Sequence, residues 1–304
     1  ARREVILCGG AINSPQLLLL SGIGPQQHLT DLGVPVVHDL PGVGQAMQDH
    51  YSAPIKLKCQ FPITVNDIMQ SNLRKVRTGM EYYLLRRGAM AAVAAQVALF
   101  ARTRPELATP DIKMSVSTFS ADRPQDGLHP FSGFTLIVYQ LRPESRGEIR
   151  LKSPRPEDPP AMIPNYLATE TDRRTIVDGL LLGRRLLAMP QMQHYIAEEF
   201  LPGPAVQTPE QMLEHARQCG GTVFHPTSTC KMGIDPMAVV DPELRVYGTE
   251  GLRVVDASVM PTVVSGNTNA ATIMIAEKAS DLVRRDRTPL PQSGRPVREY
   301  VSLP

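Results

Sequence analysis

The sequence predicts a mixed fold, α/β with α+β, in which an antiparallel-sheet domain is inserted between two parts of an α/β layer, and three observations predict it. The chain opens on an apolar run, Glu4 to Cys8, that leads through Gly9-Gly10 into a helical stretch, the strand, turn and helix of an α/β unit. Far downstream a second apolar run, Leu252 to Asp256, precedes another helix beginning around Asn267. Between them, Ile55, Leu57 and Cys59 alternate with lysines, and Ile112, Met114 and Val116 alternate with polar residues, which is the period of strands that bury one face.

In chain order, Ser14 reads as the cap of the first helix, with Pro15 at its first position and the leucines to Leu20 as its body. From Gly22 to His50 turn signals recur at Gly24-Pro25, Gly33, Pro41-Gly42 and Gly44, so this stretch reads as loop with short extended pieces. A helix is expected from Ile68 to Arg87. FTLIVYQL from Phe134 and EIRLKS to Ser153 flank PESRG and predict a hairpin. Ser153 to Pro164, rich in proline, reads as a rigid connector. Thr171 to Ala188 is a further helix, and Thr208-Pro209-Glu210-Gln211 has the form of a capping box for a helix running to Arg217. After Arg285 the composition turns to PLPQSGRP, which predicts a surface tail.

Composition narrows the function classes. With 304 residues and 42% hydrophobic content the chain can bury a substantial core. Its 32 basic residues nearly balance 30 acidic ones, so no long-range field favours nucleic acid or an acidic membrane. No apolar run approaches the roughly 20 residues of a membrane span. The four cysteines stand in no metal spacing, and their sparse use predicts a reducing, cytoplasmic compartment and no metal site.

The chemistry-bearing stretch is TVFHPTSTCKMG, Thr222 to Gly233, followed by LRVVDASVMPTVVSGNTNAA, Leu252 to Ala271. His225 sits in a Pro- and Thr-rich loop from which a side chain can reach a cleft, and an ordinary imidazole pKa of roughly 6.5 makes it a usable base. Residue chemistry alone leaves it between a base and a structural loop histidine. Asn267 is equally a candidate hydrogen-bond donor and an ordinary helix cap, and Asp256 a ligand or a turn former.

These two stretches, together with GGAINSPQLLLLSGIGP from Gly9 to Pro25, closely resemble the glucose-methanol-choline family of flavin-dependent oxidoreductases. The matches stand in the family's order and span nearly the whole chain. The resemblance implies FAD and the oxidation of a small primary alcohol to its aldehyde by hydride transfer to flavin N5, with oxygen or a quinone-linked carrier as electron acceptor. It implies that His225 is the general base and Asn267 its partner. The amides of Thr268 and Asn269 would face flavin N1 and C2=O, Asp256 and the Ala257 amide the ribityl chain or pyrophosphate, and Gly9 the adenine end. It further implies a discontinuous FAD-binding domain from residues 1–50 and 220–286, a substrate domain over 51–219 and a tail over 287–304.

The family's GxGxxG turn for the pyrophosphate is absent: Gly42-Val43-Gly44 is followed by Met47 where the third glycine belongs, and Gly22-Ile23-Gly24 by Gln27. A preceding segment of the same enzyme is therefore expected as partner. In GVGQAMQDH, Gly42 to His50, Ala46 replaces the family's Asn, while Asp49 and His50 keep its pattern; His50 reads as structural. Two other classes stay open at this point, a lyase or decarboxylase on the same scaffold and a non-catalytic fragment.

Overall fold

Pairing of the two apolar runs ties the start of the chain to its end. In the computed structural model, which describes residues 3–93, 95–122 and 127–287, strand β1 (Val5–Leu7) lies parallel to β12 (Leu252–Val254), with Ile6 opposite Arg253. Neither strand is uniformly buried or apolar. Arg253 is buried on the carboxylates of Glu4, at 2.9 Å, and Asp286, while Val5 and Ile6 are exposed because β1 has one strand neighbour among the described residues.

The first helix begins earlier than the Ser14-Pro15 signal predicts. Helix α1 (Gly10–Leu20) carries Pro15 in its interior. A proline has no N–H, so the carbonyl of Ala11, one turn back, loses its helical donor. The Thr229 hydroxyl replaces it at 2.7 Å. Strands β2 (Ile23–Gly24) and β3 (His38–Asp39) pair in parallel around α2 (Gln26–Asp31).

The central sheet is built from β4 (Tyr51–Cys59), β5 (Ala95–Ala101), β6 (Ile112–Ser117), β7 (Gly133–Gln140) and β10 (Ile196–Leu201), in the order β10-β4-β7-β6-β5, with β11 (Gly221–Thr222) against the start of β4. All its pairings are antiparallel. Alternation assigns its faces. Ala53, Ile55, Leu57, Ile112, Met114, Leu136 and Val138 form one buried face, packed on Ile176 and Leu180 of α5 (Glu170–Leu187). Full burial of each large aliphatic side chain here contributes about 1.5–3 kcal/mol. Gly179 and Gly183 allow the close approach, since a Cβ on either would meet Val138 or Leu136 at 2.9–3.0 Å. Helix α7 (Pro209–Cys219) adds Met212 and Ala216 to this core, and its Thr208–Gln211 capping box forms as expected.

Three expectations need correction. The hairpin over residues 134–153 does not form: β7 already has β4 and β6 on its two edges, and β8 (Glu148–Arg150) pairs with β9 (Ala161–Ile163) from the proline-rich stretch instead. Asp172 diverts the chain between them, accepting the N–H groups of Glu144 at 2.9 Å and Ser145 at 2.8 Å. The helix over 68–87 is two helices, α3 (Val65–Met69) and α4 (Asn72–Leu85), because the Ser71 side chain caps a new start by accepting the Arg74 N–H at 3.3 Å. After α6 (Pro190–Gln193), the final helix α8 (Asn269–Arg287) starts two residues beyond Asn267. The expected tail beyond residue 287 lies outside the described residues.

A second core gathers Leu18, Leu29, Val43, Cys230, Val240, Val254 and Ala279, and Leu151 is its member from the central part of the chain. The sheet core draws on residues between Tyr51 and Ala216. No helix among the described residues is long and apolar enough to cross a membrane.

Candidate active site

The loop from Thr222 to Cys230 is threaded between two other segments. Gln48 and Thr227 exchange backbone hydrogen bonds at 2.8 and 3.2 Å, Gly44 N–H donates to Thr229 O at 2.8 Å, and Cys230 N–H donates to Ser258 O at 2.9 Å. Phe224 and Ser228, at φ of 62° and 72°, turn the backbone sharply on either side of His225. Asp49 fixes that turn. Its buried carboxylate accepts the His225 N–H at 2.9 Å and the hydroxyls of Thr222 and Tyr166 at 2.5 Å each. Burial and then this carboxylate push the Tyr166 phenol pKa far up, so it stays a donor.

His225 is thereby placed in a chain of polar side chains whose protons can be assigned from their partners. His50 Nε2 lies 3.2 Å from the Leu141 carbonyl, which can only accept, so this nitrogen carries the proton. His50 Nδ1 is then an acceptor. It faces His225 Nδ1 at 3.0 Å, which must therefore be the protonated nitrogen of that ring. At the far side, Lys113 Nζ donates to Asn267 Oδ1 at 2.6 Å, which turns the Asn267 amide N–H toward His225 Nε2 at 3.2 Å. The result is a neutral imidazole with its lone pair on Nε2, beside an amide donor.

Electrostatics keep both rings neutral. His50 is fully buried, which lowers its pKa from 6.5 to about 4. Burial also lowers the His225 pKa; the Asp49 charge opposes this and the Lys113 charge adds to it. Tyr139, whose ring lies 5.3 Å from His50 and 6.3 Å from His225, has its hydroxyl pKa raised to about 12 by burial and finds no hydrogen-bond partner among the described residues.

The structure sorts the expected site residues into two groups. His225 and Asn267 are brought together, with Thr268 and Asn269 following directly at the start of α8. The backbone N–H groups of Thr268 and Asn269 meet no acceptor among the described residues. Gly9, Asp256 and Ala257 form the other group, at the start of α1. Asp256 accepts Gly10 N–H at 2.9 Å, Ser14 Oγ at 2.5 Å and Ser258 N–H at 2.8 Å, while Gly9 N–H donates to Ser14 Oγ at 2.9 Å. These internal bonds put a carboxylate on the positive end of α1.

Comparison with known proteins extends the likeness beyond these residues. Two GMC oxidoreductase family models match, over residues 1–52 and 143–276. The chain belongs to the GMC oxidoreductase family. It is 42% identical over 293 residues to an oxygen-dependent choline dehydrogenase of Serratia proteamaculans, covering 96% of this chain and 52% of the relative. With the corresponding protein of Pseudomonas fluorescens it shares 41% over 313 residues, covering 98% and 55%. The chain thus spans about half the length of these relatives. Among solved structures it superimposes on Aspergillus oryzae formate oxidase with a TM-score of 0.88 at 25% identity, covering 94% of this chain and 55% of that one. For pyridoxine 4-oxidase from Mesorbium loti the TM-score is 0.78 at 28% identity, with 93% and 51% covered.

Residue reasoning missed four side chains of this cluster. His50 was read as structural, yet it sets the tautomer of His225. Asp49 and Tyr166 hold the loop, and Lys113 holds Asn267. The adjacency of Asp49 and His50 at the end of GVGQAMQDH was the available signal for the first two. Lys113, one polar residue in an alternating strand, carried none.

Proposed function

We propose that this chain supplies the proton-handling half of an FAD-dependent oxidation of a primary alcohol to its aldehyde. The observation that carries the reading is the unprotonated Nε2 of His225 beside the Asn267 amide. A carbinol hydroxyl entering between them donates its proton to Nε2 and accepts from Asn267 Nδ2, which stabilises the oxygen as alkoxide character develops. His50 keeps Nδ1 of His225 bonded before and after the proton arrives, so the ring does not turn during transfer.

The residues present fit the flavin end of FAD. Two unpaired backbone N–H groups open α8 next to Asn267, where helix dipole and donors favour negative charge. FAD bound there would supply the hydride acceptor, N5, for the carbinol carbon. Thr268 and Asn269 would hold N1 and C2=O. Residues 1–50 and 220–286 would form the FAD-binding domain, with Gly9, Asp256 and Ala257 inside it, and residues 51–219 the substrate domain; the two separate cores support that division. The names of the relatives support an alcohol substrate and oxygen as acceptor.

The test uses the full-length enzyme loaded with FAD. His225→Ala should slow anaerobic flavin reduction by an alcohol at least about a hundredfold while FAD stays bound. Reduction within about threefold of wild type would remove His225 as the base.

A further inference from the structure

The face of the central sheet opposite α5 runs up to His225 and bears polar residues where the other face bears aliphatic ones. Strand register places Ser52, Tyr139, Lys113 and Phe100 in one row across it, at the end nearest the histidines. Beyond that row lies a cavity of about 600 Å³ over Pro54, Lys56, Thr135, Ile137 and Phe224. An alcohol reaching His225 across this face passes Lys113.

Lys113 stands where a cationic substrate would need an aromatic or acidic seat. Its Nζ lies 5.5 Å from the ring centres of both Phe100 and Tyr139, so the aromatic pair of this row already carries an ammonium supplied by the protein. One of its three donors goes to Asn267 Oδ1. No carboxylate among the described residues forms an ion pair with it, and the lowering of its own pKa comes from burial. Two other cations of this face, Lys56 and Lys58, are paired with Asp122 at 3.0 Å and Glu198 at 2.5 Å. The nearby carboxylate of Asp49 is committed to the His225 N–H, Thr222 and Tyr166. At the rim, Arg142 Nε donates to Ser265 Oγ at 2.9 Å and adds a second positive charge.

We infer that Lys113 sets the substrate class of this site, admitting alcohols that carry a carboxylate or similar anion close to the carbinol and rejecting quaternary ammonium alcohols. The inference rests on the alcohol oxidation proposed above. A trimethylammonium group held within about 6 Å of the Lys113 ammonium is repelled, and a carboxylate at the same place attracted, each by enough to change affinity about tenfold or more at an effective dielectric near 20. The substrate of this chain would then differ from the one named for its choline dehydrogenase relatives.

The experiment compares three alcohols with a common hydroxyethyl unit, β-hydroxypropionate, isoamyl alcohol and choline, in the full-length FAD-loaded enzyme. Expected kcat/KM values fall in that order, with about a hundredfold between the ends. Lys113→Gln keeps an N–H donor for Asn267 but removes the charge. It should compress the ratio of anion to cation at least tenfold, chiefly through KM, and Lys113→Arg should preserve it. A readout independent of turnover is the flavin absorbance change on titration with propionate or tetramethylammonium. Propionate should bind more tightly and lose about tenfold in Lys113→Gln. Oxidation of isoamyl alcohol with choline preferred over β-hydroxypropionate, or ratios unchanged in Lys113→Gln, overturns the inference while leaving alcohol oxidation standing. Failure of all three alcohols to reduce the flavin overturns both.

Discussion

Replacing Asn267 by Asp tests the proton assignment where it is most exposed to refutation. In the native site an amide N–H faces His225 Nε2 at 3.2 Å, so protonating that nitrogen sets two donors against each other. A carboxylate in the same place reverses the preference. At 3.2 Å and an effective dielectric of ~20, a carboxylate attracts a protonated ring by about 5 kcal/mol. Lys113, already bonded to the other oxygen at 2.6 Å, cancels much of this, and the exposure of residue 267 screens more. What is left, about 1.5–3 kcal/mol, raises the His225 pKa by about one to two units. Burial holds that pKa below 6.5 in the native protein, so wild-type flavin reduction should fall off only on the acid side of 6.5. In Asn267→Asp the fall should begin about one to two pH units higher than in the wild type, on the same alkaline plateau. Anaerobic stopped-flow of the FAD-loaded full-length enzyme with isoamyl alcohol, followed from mildly acid to alkaline pH, measures this directly. Superimposable profiles for the two proteins, or a shift to lower pH, would refute the claim that Asn267 faces Nε2.

His50 predicts an acid-side loss of stability: its folded pKa of about 4 lies below the 6.5 of the unfolded chain, so the unfolded state binds the extra proton as pH falls between them and folding loses up to about 3 kcal/mol. That part of the slope of melting temperature against pH should vanish in His50→Phe, and its persistence would mean His50 is not buried neutral. Ala46 adopts φ of 59°, a left-handed conformation that costs a residue with a Cβ about 1–2 kcal/mol, so Ala46→Gly should raise the denaturation midpoint, and a lower midpoint would contradict this backbone. Thr229→Val leaves the Ala11 carbonyl without a donor inside the protein and should cost about 1–3 kcal/mol by chemical denaturation, against no change if that carbonyl finds another partner.

Sequence and structure agree where local chemistry acts alone and part where distant residues decide. The capping box at Thr208 needs nothing beyond its own four residues, and it forms as read. Alternation in β4 and β6 gave the faces of the sheet correctly, because burial of one face fixes register by itself. The hairpin failed because partners are chosen in three dimensions: Asp172, from another element, captures the turn and delivers the next strand to a different neighbour. Ser14 and Pro15 read as a helix start since nothing local announces that Thr229 will repair the bond a proline removes. At the site, His225 and Asn267 were legible through the motifs around them. The role of His50 depends on which nitrogen meets the Leu141 carbonyl, a fact of the assembled sheet that no spacing encodes.

The proline inside α1 makes the order of substitution matter. With Pro15 in place, the Thr229 hydroxyl is the donor that Ala11 depends on, and any change at 229 that removes it passes through a deficit. Changing Pro15 to alanine first lets the helix close its own bond and frees position 229 to vary. A lineage can therefore lose the proline and then the threonine at little cost, whereas the reverse route crosses an unstable intermediate. Since Thr229 stands four residues after His225 in the same loop, the first helix of the chain also governs which sequences the base-bearing loop can explore.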